Sequence, residues 1–428
     1  MRDHSFKKQH SPPWLQPVPA ATADKRALII GAGLAGAASA RALAQRGWQV
    51  TVIDRHSRPA QGASGNRRGI LYVRLSAHTS PLLSLVVNGY RYTLKLLEQL
   101  PHTVYDLCGI AVLPSCQEEQ MRQQQQARCG LHDAYVEYSS CRQLQVHTGL
   151  NFGRAGLYFP DGGWVDPKEL VAWQLNHPSI VFAGNQSVAG LEYRRNEWYA
   201  LAHNGKQWSA PVMIIAGGYE ASTFAQTAHL PLKSIRGQTT EIPATQASMA
   251  LKSVACGKGY ITPAYNGVHT IGATFHFDDP EPQCRAHDHL ANIKTIGQLA
   301  PALAEDLALD RLDHHSMAGR VGFRCTTPDY LPVVGPVLDS PLFQQRFNAL
   351  KKNRLSRIDA AVPWHTGLYI NTGHGSRGLI TAPLSGELVA SHITGESTDL
   401  HISLMEALHP ARFPARTLIK NRAAVCTV

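Results

Sequence analysis

Residues Ala27 to Asp54 read ALIIGAGLAGAASARALAQRGWQVTVID, and this stretch decides the fold. The apolar run Ala27 to Ile30 predicts a short buried strand. Gly31, Gly33 and Gly36 follow in G-x-G-x-x-G spacing, then an alanine-rich helix, then a second strand, Gln49 to Ile53, ending in Asp54. Gly31 permits the tight turn out of the strand, Gly33 lets a pyrophosphate approach bare backbone, and Gly36 lets helix and strand pack closely. The helix start, where Leu34 and Ala35 lie, offers unpaired N–H donors and a positive dipole end to phosphate. Asp54 is placed to accept hydrogen bonds from ribose hydroxyls, with Arg55 beside it. A carboxylate here disfavours a 2′-phosphate, so NADP is the least favoured ligand, although Arg55 keeps it open. The pattern predicts an α/β, Rossmann-like dinucleotide-binding domain.

The rest of the composition narrows the class. A chain of 428 residues can bury a large core and has room for two domains. No stretch reaches the roughly 18 to 20 apolar residues that a membrane span needs. The start, MRDHSFKKQHSPPWLQPVP, has no apolar h-region, so no secretory signal and a cytoplasmic location are expected. Cys108, Cys116, Cys129 and Cys141 are too widely spaced for a C-x-x-C site, which predicts reduced thiols and no metal. A formal charge of +10 attracts a polyanion, and nucleic acid is one candidate.

Along the chain, residues 1–26 read as a flexible, proline-rich tail or linker. Apolar spacing predicts a helix over Pro81 to Leu100, and the glutamine run predicts an exposed helix over Glu118 to Leu131. Strands are expected at Ile180 to Phe182, Gly190 to Tyr193, Trp198 to Ala202 and Val212 to Ile215. Further strands are expected around Ile235, Glu241–Ile242, Tyr260–Ile261, His269–Ile271 and Leu368 to Asn371. The middle is β-rich while both flanks look nucleotide-associated, which suggests two interleaved domains. Residues 27–80, 150–232 and 325–408 are assigned to a discontinuous cofactor-binding domain. Residues 81–149 and 233–324 are assigned to a β-rich substrate domain, with 409–428 as a basic C-terminal tail.

Three further glycine clusters separate NAD from FAD. Gly62-Ala63-Ser64-Gly65-Asn66-Arg67-Arg68-Gly69 is either a surface loop or a second backbone cradle, with Ser64, Gly65, Asn66 and Gly69 against the cofactor. Val212 to Gly218 runs from a strand into a glycine turn, adding Ala216, Gly217 and Gly218 to the candidate set, together with Val188. Asn371 to Gly378 opens a helix whose N-terminus, at Gly375, Ser376, Arg377, Gly378 and Leu379, could stabilise the anionic edge of a reduced isoalloxazine. A NAD fold has no need of a glycine-rich helix start so far downstream. The longer FAD does.

Other runs carry a family resemblance: Arg236-Gly237-Gln238 and Arg324-Cys325-Thr326-Thr327-Pro328-Asp329-Tyr330-Leu331-Pro332-Val333-Val334-Gly335. With these the chain resembles the FAD-dependent amine oxidases related to D-amino-acid, glycine and sarcosine oxidases. Finer features are most similar to the C-terminal oxidase domain of bifunctional tRNA-modification proteins: Gly62 to Asn66, Tyr158-Phe159-Pro160 with Gly162-Gly163-Trp164, and Ala225 to Pro231. Gly259-Tyr260-Ile261-Thr262-Pro263 and Gly375 to Leu379 with Ala382-Pro383-Leu384-Ser385 complete that set. The resemblance runs from about Ala27 to Lys420.

The resemblance implies the interleaved fold of the D-amino-acid and glycine oxidases, an FAD cofactor and a tRNA partner. The substrate it implies is a wobble uridine bearing 5-carboxymethylaminomethyl, usually 2-thiolated, converted to 5-aminomethyluridine and glyoxylate. Relatives carry a methyltransferase domain ahead of this one, where 26 residues stand here, so only the oxidase half-reaction is expected. A separate methyltransferase is then a candidate partner for the next step. Covalent-flavin relatives carry a cysteine that falls at Gly322; Cys325 is three residues away, so non-covalent FAD is expected. Arg324 matches the position that holds a substrate carboxylate, unless it forms a structural salt bridge. Tyr260 adds a hydrogen bond or packs in its strand, Arg377 serves substrate or flavin, and His374 caps or packs. Arg346 to Arg357, with five Lys/Arg, and residues 409–428, with four, both contain no acid and are candidate RNA contacts, with Arg67 and Arg68 next. Two alternatives stay open: an oxidase of free glycine or sarcosine, and a non-catalytic flavoprotein that binds tRNA or a methyltransferase.

Overall fold

The strand Arg26–Ile30 lies inside a six-stranded sheet in the order Val333–Leu338, Trp364–Thr372, Val212–Ile215, Arg26–Ile30, Gln49–Ile53, Ile180–Ala183. The structure, a computed structural model, describes residues 12–15, 22–73, 80–128, 135–353, 356 and 358–420. All pairings in this sheet are parallel except that of Val333–Leu338 with Trp364–Thr372. The central strands are short Val/Ile-rich runs buried on both faces, as a parallel sheet covered by helices requires.

The helix Leu34–Ala44 covers one face and packs on Gly378–Thr394. Small residues set that approach: a Cβ on Gly386 would come within 2.6 Å of the Ala38 carbonyl carbon. Pro383 sits inside Gly378–Thr394 and cannot donate to the Leu379 carbonyl. Thr93 Oγ1, on the helix Pro81–Leu97, donates to that carbonyl instead at 2.9 Å, so the proline costs the helix no buried acceptor.

A second, nine-stranded sheet carries the other half of the molecule. Its long strand Lys233–Pro243 pairs with Gly319–Thr326 on one side and with Val268–Gly272 and His276–Phe277 on the other. Gly156–Phe159 pairs with Ile110–Val112 in this same sheet, so the crossing back to the parallel sheet comes after Phe159 rather than at residue 150. Two small three-stranded sheets complete the β structure of the described residues.

Both ends differ from the tails read in the sequence. Trp14 is buried against Phe343 and Phe347, with ring centroids 5.5 and 5.9 Å apart, because an indole gains more from that apolar pocket than from water. Residues 412–420 form a helix, and Arg412 is buried in it. Residues 1–11, 16–21 and 421–428, together with Cys129, Arg354 and Arg357, lie outside the described residues. The exposed helix runs Gln117–Arg128.

Candidate active site

The first glycine turn is built for close approach. Gly31 has φ +103°, and a Cβ there would stand 2.6 Å from the Ala216 carbonyl oxygen. Gly36 is under the same constraint from Gly31, whose carbonyl oxygen would lie 1.8 Å from an added Cβ. Gly33, at the start of Leu34–Ala44, supplies no side-chain cap. The backbone N–H of Ala32 donates to Asp54 Oδ2 at 2.8 Å, and that of Leu34 donates to Ser64 Oγ at 3.0 Å. Asp54 Oδ1 accepts from the His56 backbone N–H at 2.9 Å. Its neighbour Arg55 is ion-paired with Glu220, which removes the cation that a 2′-phosphate would need.

The second glycine run is an anchored loop. Arg320, from the strand Gly319–Thr326, donates through Nη2 to the carbonyls of Gln61 and Gly62, each at 2.6 Å. Its guanidinium fills the space beside Gly65, where a Cβ would lie 2.2 Å from Nη2. Arg68, beside this loop, is buried between the rings of Trp164 and Tyr265, 3.9 Å from each centroid. Arg67 is ion-paired with Glu241 at 2.9 Å. Both arginines therefore have structural partners.

The third run is fixed by a polar network. Thr372 Oγ1 donates to the Gly218 carbonyl at 2.9 Å, and the Gly375 N–H donates to the Cys325 carbonyl at 2.6 Å. His374 uses both ring nitrogens, Nδ1 with Thr381 Oγ1 at 2.9 Å and Nε2 with Asn371 Oδ1 at 3.0 Å. Burial lowers its pKa to about 3, so it is a neutral packing residue.

These three runs and the second sheet enclose one cavity of about 720 Å³. It is lined by Gly31, Gly33, Leu34, Ala35, Asp54 and Arg55 from the first motif, and by Ser64, Asn66 and Gly69 from the second. Val188, Ala216, Gly217, Gly218, Gly375, Ser376, Gly378 and Leu379 continue the wall, and Tyr260 and Arg324 face it from the large sheet. Three assigned residues do not line it. Gly36 and Gly65 serve packing, and Arg377 caps the helix Gly378–Thr394, its carbonyl accepting from Ile380 and Thr381. The sequence reading missed Tyr72, Lys258, Phe275 and Phe323, which also line the cavity. Single aromatic or lysine residues between short strands carry no motif, so only the pairing of those strands brings them here.

Arg324 is the sharpest feature of the wall. Its Nη1 donates to the Thr274 carbonyl at 3.2 Å, and its guanidinium lies 5.9 Å from the Phe275 ring centroid. No carboxylate lies within ion-pair distance of it among the described residues, so it is not a structural salt bridge. Burial lowers its pKa, with Tyr260 opposing. The Tyr260 phenol is pushed up to about 12 by burial, against the pull of Arg324, and stays protonated. Cys325 is a buried thiol pushed up to about 11.

The family model for FAD dependent oxidoreductases of the DAO type matches residues 26–392. The chain belongs to the DAO family. FAD is therefore its cofactor, and the cavity fits it: bare glycine backbone at Gly31 and Gly33, a carboxylate at Asp54, and a long glycine-lined wall reaching the helix start at Gly378. Curated relatives include the tRNA 5-methylaminomethyl-2-thiouridine biosynthesis bifunctional protein MnmC of Pseudomonas syringae pv. syringae, 42% identical over 412 residues, covering 96% of this chain and 62% of that one. The protein of the same name from Pseudomonas putida strain GB-1 is 42% identical over 96% of this chain and 63% of its own. This DAO-family chain thus spans less than two thirds of the length of the curated relatives it matches. Among solved structures, glycine oxidase from Geobacillus kaustophilus superposes with a TM-score of 0.72 at 20% identity, over 91% of this chain and 99% of that one. Iminodiacetate oxidase from Chelativorans sp. BNC1 gives 0.69 at 22%, over 90% and 99%. At such identities these two likenesses establish the DAO fold: a Rossmann-like sheet interleaved with a β-rich part. Among the described residues no helix is long and apolar enough to cross a membrane, and no cluster of metal-ligating side chains is present.

Proposed function

We propose that this chain oxidises 5-carboxymethylaminomethyl-(2-thio)uridine at the tRNA wobble position, releasing glyoxylate and leaving 5-aminomethyl-(2-thio)uridine. The observation that carries this reading is the Arg324 guanidinium, half-buried on the cavity wall, with the Thr274 carbonyl as a partner and no carboxylate within ion-pair distance among the described residues. A cation drawn partly out of water without a counter-charge is held at a cost, and a substrate carboxylate supplies the missing partner. Arginine's fork grips a carboxylate at two points, which fixes the adjacent methylene as well as binding it. The side chain of this uridine is an N-substituted glycine, and it carries that carboxylate. The MnmC relatives, whose names concern tRNA thiouridine biosynthesis, and the net charge of +10 support a tRNA as the bearer.

Bound FAD supplies the two-electron acceptor for the hydride of the glycine methylene. The protein's part is orientation and exclusion of competing chemistry. Arg324 holds the carboxylate, and Tyr260, protonated throughout the working pH range, donates a second hydrogen bond to it. Oxidation of R–NH–CH₂–COO⁻ gives R–N=CH–COO⁻, and water then yields R–NH₂ and glyoxylate. The substrate amine has to react in its neutral form. His374 is not its base, because both ring nitrogens are engaged. FAD is held without a covalent bond, in keeping with the high pKa of the Cys325 thiol and a glycine at 322. In this reading residues 27–80, 160–232 and 325–408 carry chiefly the cofactor, and 81–159 and 233–324 the substrate. The setting is the cytoplasm, with a separate methyltransferase taking the product onward.

The test is flavin bleaching under anaerobic conditions. An anticodon stem-loop RNA carrying the modified uridine should reduce the flavin and release glyoxylate, with the 5-aminomethyl product found by nucleoside mass spectrometry. The likeness to glycine oxidase favours a second reading, oxidation of free glycine or sarcosine. Faster reduction by those amines than by the RNA would establish it. A flavin reduced by neither would point to a non-catalytic binding protein.

A further inference from the structure

We propose that Phe275 and Phe277 form a stacking platform for the nucleobases of the substrate, with Lys258 contacting the adjoining phosphate. The proposal rests on the reading of the substrate as a modified uridine within RNA. Both rings are 49% exposed, and they meet edge to face with centroids 5.2 Å apart. The inner ring, Phe275, lines the cavity beside Arg324. The platform therefore begins where the carboxylate site ends.

The rings are held out by design of the strand. Side chains alternate along extended backbone, so Phe275 and Phe277 face one way and His276 the other. Ile235 pairs with Phe277 and Arg236 with His276 along the edge of the large sheet. His276 Nε2 lies 2.8 Å from Asp288 Oδ1, and Asp288 Oδ2 accepts from Arg236 Nη1 at 2.5 Å, both of these last side chains being fully buried. Arg236 also donates to the carbonyls of Glu281 and Gln283, each at 2.7 Å, which fastens the loop behind the ridge. Two phenyl rings fixed in water by a buried ionic network forgo the burial that usually stabilises them. Nucleobases supply the missing contact, because every base has a π-face that stacks on an aromatic side chain.

Lys258 gives the second contact. It lies at the tip of a turn closed by the Gly257 N–H donating to the Gly259 carbonyl at 2.7 Å. Tyr260 pairs with Gly272, so this turn and the segment leading to Phe275 leave the sheet at the same end. The Lys258 ammonium is exposed, lines the cavity and has no ion pair among the described residues. An aromatic pair beside a free cation suits a base and its phosphate better than a lipid surface or an acidic peptide.

The test measures Kd and KM for the anticodon stem-loop RNA carrying the modified uridine. F275A and F277A should each weaken both about tenfold, with kcat at saturating RNA changed less. F277W should keep the affinity, and its added indole fluorescence should be quenched as RNA binds. K258Q should lower the slope of log Kd against log salt by about one. Flavin absorbance and Tm check that each variant is folded. If the wild type oxidises the RNA and F275A and F277A bind it within twofold of wild type, or the F277W signal ignores RNA, the platform is wrong and the substrate reading stands. Retained RNA affinity with lost binding of a methyltransferase chain also overturns it. A wild type that does not oxidise the RNA overturns both.

Discussion

Arg412 meets Asp329 through two parallel hydrogen bonds, Nε to Oδ2 at 3.0 Å and Nη2 to Oδ1 at 3.1 Å. Arg416 joins the same carboxylate. The C-terminal helix, expected from its sequence to offer free cations to RNA, is instead fastened by two of them to the Thr327-Pro328-Asp329 run. Burial pushes the Asp329 carboxyl up, but the bonds and charge from Arg412, with Arg416 and Thr327, hold it well below the usual range.

Asp329→Ala should destabilise the fold by about 3 kcal/mol, because it leaves Arg412 buried without its partner. The sign with pH follows from the depressed pKa. The contribution is present above the ordinary aspartate pKa and is lost as pH falls through the lower folded value. Urea titration at pH 7 and pH 3 measures it, and equal stability of wild type and variant at pH 7 would remove the pair as a fastening.

Several histidines are held neutral, His409 fully buried and the others half-buried: His374 at about 3, His229 and His392 at about 4, and His409 well below the ordinary value, all chiefly through loss of water around the ring. Unfolded, each binds a proton below about pH 6.5, whereas the folded chain does not. Stability should therefore fall as pH drops from about 6.5 towards 4, by roughly 1.4 kcal/mol per pH unit for each histidine. Replacing His392 with Gln should flatten the dependence of Tm on pH. An unchanged slope would mean that His392 titrates alike in both states.

Arg324→Ala should keep the flavin spectrum and slow reduction by the modified nucleoside by on the order of a hundredfold or more, since a buried charge pair is lost. Arg324→Lys should recover little, because a point charge lacks the fork. Stopped-flow reduction reads both, and wild-type rates in Arg324→Ala would take the residue out of the site.

Asp54→Ala should weaken FAD binding by about ten- to a hundredfold, from the loss of a charged acceptor worth roughly 1.5–3 kcal/mol. Asp54 also accepts from the Ala32 N–H, so the turn at Gly31 should loosen as well. Asp54→Asn, which keeps an acceptor, should lie between the two. Full FAD occupancy after dialysis of Asp54→Ala would mean that the carboxylate does not touch the ribose.

Lys351 and Lys352 are exposed, unlike Arg412, and remain candidates for phosphate contacts. Neutralising both should lower the salt slope of tRNA binding by about two and leave flavin content unchanged. A wild-type slope in that variant would place the RNA elsewhere on the surface.

What was legible in the sequence is what local chemistry dictates. The strand–glycine–helix–strand–Asp54 pattern, the glycine turns at Ala216 to Gly218 and at Asn371 to Gly378, and the reading of His374 as a residue that caps or packs each follow from residues near one another in the chain. Arg324 and Tyr260 were found through a resemblance; spacing alone does not distinguish an arginine that lacks an acid partner from one that has it. Arg377 shows the limit of proximity, since it belongs to the right loop but caps the helix instead of lining the cavity.

Pairings across long stretches of chain were decided only by the tertiary structure. Arg320 reaches the carbonyls of Gln61 and Gly62, Asp329 takes up Arg412 and Arg416, and Trp14 fills a pocket between Phe343 and Phe347. A charge count gives cations no partners, and a proline-rich tail gives a tryptophan no pocket. The sequence by itself determined the dinucleotide fold because glycine backbone and helix-dipole chemistry act over a few residues. Which cations stay free, and which wall of the cavity each loop reaches, depended on burial and on ion pairing between segments that only folding brings together.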